Sequence, residues 1–166
     1  LGHGLDDPDL GPLASAAQKR KVLAYVDGAR HDGAEVVAGG VPAPMDRGYF
    51  VLPTILTNVT NDMTVAREEV FGPVQSILKF DEEDEAVAIA NDTPYGLAAG
   101  VFTRDIARAF RLTRQLDAGQ VRINNFTAGG VETPFGGYKH SGIGREKGVE
   151  ALRHYTQLKT VIMDIR

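Results

Sequence analysis

The sequence predicts an α/β domain, a mostly parallel sheet flanked by helices. Two observations lead there. From Val74 onward, short runs of apolar and β-branched residues alternate with segments of helical period, the pattern of strands joined by crossover helices. The chain has 166 residues, 43% hydrophobic and 24% charged, enough for one domain with a buried core.

Residues 1–12 are rich in Gly, Asp and Pro and read as an exposed loop, the kind of segment proteases cut. A helix is expected over 15–32, with Ser15 as N-cap and Gly33 as stop. Its Val22, Val26 and Ala29 recur at helical spacing and should face the core. Residues 35–38 form a short strand ended by Gly39 and Gly40. Residues 49–56 are extended, but Pro53 removes a ladder donor and suggests an edge or irregular strand. Residues 74–80 make a better strand, and Asp81 caps an acidic helix start (Glu82, Glu83, Asp84, Glu85) that suits the helix dipole. Residues 91–96 break that helix. A strand over 98–103, a helix over 105–116, a stop at Gly119 and a strand over 120–124 follow.

A long loop spans 125–144 and contains six Gly, two Phe, a Tyr and a Lys. A structureless stretch of that length in a domain is usually functional. A short helix over 146–153 and a strand over 156–165 complete the reading. That last strand could pair within its own chain or reach a neighbour.

Composition excludes several functions. The net charge is −4, so no global field draws the chain to nucleic acid or to an anionic membrane. No apolar run approaches the ~18 residues of a membrane span. There is no cysteine, hence no disulfide and no thiolate metal site. His3, His31, His140 and His154 lack a helical ligand spacing, so no metal is expected. No signal peptide is evident, and a cytoplasmic location is the expectation. The first residue is Leu1, which suggests a chain processed or cut from a longer one.

Two segments stand out chemically. In Glu68-Glu69-Val70-Phe71-Gly72-Pro73, a carboxylate could accept both hydroxyls of a ribose, and a Phe face could pack on a flat heteroaromatic ring. The same residues could also be an acidic helix end, a core Phe and a turn. In Pro134-Phe135-Gly136-Gly137-Tyr138-Lys139-His140-Ser141-Gly142, adjacent glycines let backbone approach backbone or ligand. Gly142 to Gly148 mimics a dinucleotide fingerprint, but it follows a loop and not a strand, with too little chain after it for a βαβ unit. Arg104, Arg108, Arg111 and Arg114 share one helical face, either a phosphate stripe or a solvated surface.

These segments resemble the EExFGP and PFGGxKxSG motifs of the aldehyde dehydrogenase family. Other blocks, including Thr93-Pro94-Tyr95-Gly96-Leu97 and Tyr155-Thr156, fall in family order, so the resemblance covers the whole chain. It implies that Glu69 binds the nicotinamide ribose and Phe71 the nicotinamide. Phe126 and Phe135 would line the substrate channel, and Gly129 would widen it where several relatives carry an aromatic. Lys139 and Ser141 would be structural. Glu146 would match a carboxylate that some members place in a proton path, or serve only as a charge at a helix N-terminus.

The resemblance further implies a parent enzyme in which a cysteine thiolate attacks an aldehyde, hydride passes to NAD or NADP, and water releases a carboxylic acid. The nucleophilic Cys, the general-base Glu and the dinucleotide fold lie upstream of this chain in the family. The chain alone is therefore expected to be inactive and to bind no cofactor tightly. Residues 1–154 would be a partial catalytic domain, and 155–166 a strand that adds to another subunit in a homo-oligomer. The competing expectation is a stand-alone, non-catalytic assembly module of the same fold.

Overall fold

Ser15 opens the first helix by accepting a hydrogen bond from the backbone N–H of Gln18 at 3.1 Å, which satisfies one donor that the first turn would otherwise leave unpaired. The computed structural model describes residues 1–127 and 129–166. They form two compact units, Leu1–Glu82 and Glu83–Arg166. No described helix is long and apolar enough to cross a membrane.

In the first unit, α1 (Ala16–His31) buries Val22, Val26 and Ala29, the stripe that the spacing predicts. Asp32 closes it, and Gly33 follows at φ 103°, a conformation that costs glycine little. A three-stranded sheet packs with it in the order β1 (Glu35–Ala38), β2 (Thr54–Thr57), β3 (Val74–Ser76). The β1–β2 pair is antiparallel and the β2–β3 pair parallel. The stretch expected over 49–56 as an edge or irregular strand is irregular, with Val51 in an isolated bridge to Pro42 before β2, which is central among these three strands. Pro53 lies just before β2, so its missing N–H interrupts no ladder, and Thr54 N–H donates to Pro73 O at 2.8 Å. Leu56 is fully buried in a core with Val22, Val26, Val51 and Val65, the last from α2 (Thr64–Arg67). Thr54 is buried and fully used: its Oγ1 donates to Leu52 O and accepts from Gly40 N–H, each at 2.8 Å.

The second unit begins with α3 (Glu83–Asn91), two residues past Asp81. It continues through β4 (Tyr95–Gly96), β5 (Ala98–Val101), α4 (Ile106–Gln115) and β6 (Gln120–Ile123). Asp105 caps α4 by accepting from Ala107 and Arg108 N–H. The β5–β6 pair is parallel, in register from Ala98–Gln120 to Val101–Ile123. The long loop is partly ordered by β7 (Tyr138–Lys139), antiparallel to β4. The described ladders are therefore mixed, two parallel and two antiparallel.

The expected helix over 146–153 is a 3-10 turn over Val149–His154. Residues 156–166 form no strand and are exposed throughout. β propensity describes fit to a pleated, paired surface, and these residues pair with no strand here.

Candidate functional site

The turn carrying Glu69 and Phe71 is built from α1. Gln18 sends both amide hydrogens of Nε2 to consecutive carbonyls, Val70 O at 3.1 Å and Phe71 O at 2.9 Å. Gly72 sits against the same helix, where an added Cβ would lie 2.5 Å from Val22 Cγ2. Only a residue without a side chain allows the turn to lie that close. Between these anchors Phe71 has φ 57°, the left-handed region that a bulky residue seldom adopts. The residue is 72% exposed. The chain therefore holds a large apolar ring in solvent through a strained backbone. The core-Phe alternative from sequence does not describe it.

The two glutamates before it are divided in role. Glu68 Oε2 accepts a 2.6 Å hydrogen bond from Tyr25 Oη on α1. Glu69 is exposed. The first carboxylate is tied to the scaffold and the second is presented to solvent one residue from the buried Val70. An exposed carboxylate can accept hydroxyl hydrogens and an exposed ring can pack on a flat ring, and here the two stand two residues apart on one turn.

In the second unit, Phe126 lies over β5, where an added Cβ on Gly100 would meet its ring at 2.9 Å. The Arg122 guanidinium sits over the same ring, 5.8 Å from its centroid, and donates to Phe126 O through Nη1 and to Gln120 Oε1 at 2.9 Å through Nη2. Phe135 exchanges two backbone hydrogen bonds with Glu146, at 2.7 and 2.8 Å. Lys147 Nζ lies 5.4 Å from the Phe135 centroid. The structure thus brings Phe135 and Glu146 together. Phe135, Gly136, Gly137, Ser141, Arg145 and Glu146 share an open groove of about 400 Å³. Glu146 is exposed and precedes the 3-10 turn, so it is not the helix-terminal charge of the sequence alternative.

Lys139 and Ser141 have structural partners. Lys139 Nζ donates to Asn91 O at the end of α3 at 2.8 Å and pairs with Asp117 at 3.4 Å. Ser141 Oγ accepts from Gly96 N–H at 3.0 Å. Arg108 and Arg111, half of the basic stripe, both grip Glu83, at 2.8 and 2.7 Å. Hydrogen bonding from Arg111 holds the Glu83 carboxyl below its ordinary value, against some desolvation and with further help from Arg108. Arg104 lies ahead of α4. Gly148 opens only the short 3-10 turn, which is no dinucleotide helix.

Comparison with known proteins agrees in every direction. The family described as the aldehyde dehydrogenase family matches residues 1–161. A betaine aldehyde dehydrogenase of Brucella anthropi is 54% identical over 99% of this chain and 35% of its own length. That of Brucella melitensis is 52% identical over the same shares. Among solved structures, the NAD+ complex of an aldehyde dehydrogenase from Bacillus cereus superposes with a TM-score of 0.92 at 46% identity, covering 97% of this chain and 33% of that one. A Mycobacterium tuberculosis aldehyde dehydrogenase complexed with NAD+ gives 0.89 at 44%, over 93% and 32%. The chain spans about a third of the length of the curated relatives it matches. With its motifs, its α/β fold and these matches in agreement, the chain belongs to the aldehyde dehydrogenase family.

Proposed function

We infer that this chain is the C-terminal part of the catalytic domain of an NAD(P)-dependent aldehyde dehydrogenase, which oxidises an aldehyde to a carboxylic acid. The observation that carries the reading is Phe71, an exposed ring on a strained and doubly anchored turn. Two solved relatives of this fold are described as NAD+ complexes, which supports a nicotinamide nucleotide as the ligand. When bound, that cofactor accepts the hydride of the reaction. Glu69 would hold its ribose hydroxyls, and Phe71 would set the plane of its ring. Phe126 and Phe135 would line the path of the aldehyde tail, and Glu146 would relay a proton. The Brucella relatives are named for betaine aldehyde, which makes an aldehyde the substrate class.

The nucleophile must come from elsewhere, since this sequence has no cysteine and thiolate is the reactive form that attacks a carbonyl near neutral pH. In the complete enzyme, residues 1–154 would be part of the catalytic domain, an α/β fold with a mostly parallel sheet flanked by helices. Residues 155–166 would add as a strand to a second subunit in a homo-oligomer. The reading places the enzyme in the cytoplasm, where free thiols persist.

The test compares two proteins in an NADH absorbance assay with a panel of aldehydes. The 166-residue chain is expected to give no aldehyde-dependent signal, and the reading frame extended upstream through a cysteine-containing segment is expected to turn over. In the longer enzyme, Glu69→Gln should lower kcat/KM for NAD about tenfold, the loss of a charged partner for two hydroxyls. Robust activity from the short chain alone would overturn the reading.

A further inference from the structure

We propose that the enzyme containing this chain selects aldehydes whose tails carry no positive charge and turns away quaternary ammonium aldehydes, a selectivity that rests on the dehydrogenase reading and names the substrate class of the same site. Phe126 and Phe135 are the two rings read as meeting the aldehyde tail. Each already has a cation of the chain's own at its face. The Arg122 guanidinium is 5.8 Å from the Phe126 centroid, and Lys147 Nζ is 5.4 Å from the Phe135 centroid.

A ring attracts a cation because its face is the negative pole of a quadrupole, effective within about 6 Å. That attraction is how proteins hold trimethylammonium groups, which offer no N–H for a hydrogen bond. Here the attraction is already used internally. Arg122 is held in place, because it is half-buried and its Nη2 donates to Gln120 Oε1 at 2.9 Å. A trimethylammonium arriving at Phe126 meets a fixed like charge, stronger as water leaves the site. Lys147 adds the same sign at the second ring. Lys147 and the loop's Glu132 and Glu146 are all exposed, so water screens the three alike, and the half-buried Arg122 carries most of the selectivity. An uncharged tail loses nothing to Arg122 and packs its apolar surface against both rings.

This separates the chain from what its Brucella relatives are named for, since betaine aldehyde is a trimethylammonium aldehyde. The probe pair is betaine aldehyde and 3,3-dimethylbutanal, the same shape with carbon replacing the charged nitrogen. In the full-length enzyme, kcat/KM should favour the neutral isostere by about tenfold or more, the scale of a single cation–π interaction. Arg122→Met should move the ratio toward betaine aldehyde by a similar factor, and Lys147→Met should move it the same way. A wild-type preference for betaine aldehyde overturns the proposal. So does an unchanged ratio in an Arg122→Met enzyme whose melting temperature shows that it folds. If that variant does not fold, the unmodified enzyme's ratio decides. No turnover of these two or of acetaldehyde, hexanal and benzaldehyde would sink the dehydrogenase reading itself, an outcome distinct from a wrong preference among working substrates.

Discussion

Gln18 stands three residues after the N-cap Ser15, the place where a capping box puts Glu or Gln. In that motif the side chain would turn back to the N-cap N–H. Here it reaches across to Val70 and Phe71 instead. Sequence spacing can expose the candidate, but not this choice of partner, which depends on a turn brought close by tertiary packing. The residues whose role follows from local spacing were the readable ones: the Ser15 cap and the buried Val22, Val26 and Ala29. The cations over Phe126 and Phe135 were not readable, because ring stacking has no sequence period. Gln18→Ala should destabilise the chain by about 1–2 kcal/mol, from two lost hydrogen bonds, measured as a lower urea midpoint. In the full-length enzyme it should also raise KM for NAD several-fold while leaving aldehyde KM less affected. Equal effects on both would argue that the amide supports the fold alone.

At the scale of elements, α1 and α4 contrast. The first buries three residues against a sheet. The second buries only Ala109 and leaves Ile106 and Phe110 exposed. What α4 does have is an electrostatic tie, Arg108 and Arg111 on Glu83 of α3. The Glu83 carboxyl is lowered in the folded chain. Its contribution is therefore present above the ordinary carboxylate range and is lost as pH falls through the lowered value. Glu83→Gln should lower the melting temperature modestly near neutrality, the two curves should converge in acid, and added salt should narrow the gap. A gap that persists unchanged in acid would show that the pair contributes little. Elements were legible where the period was local: β1 falls on residues 35–38 as read. Strand lengths and neighbours were not, because a strand needs a paired neighbour, and β3 stops at Ser76, paired with Leu56 of β2, short of residue 80. Residues 156–165 have strand composition and no ladder, for the same reason.

For the whole molecule, family membership was written in two motifs, while the described ladders are more mixed than strand–helix alternation suggests. Leu158, Val161, Ile162, Met163 and Ile165 are all exposed, a run of apolar side chains that water disfavours. A chain ending at His154 should sediment as a smaller species than the 166-residue chain at equal concentration. Identical sedimentation would count against residues 155–166 as an assembly arm.

The anchored turn at Phe71 has a consequence for timing. Two carbonyls fixed by one amide leave the loop little freedom to lose when a ligand arrives. The entropy of ordering it is spent while the chain folds, so capture of a dinucleotide at this turn should proceed as a docking onto a rigid ledge, with a rate set by encounter and not by loop closure.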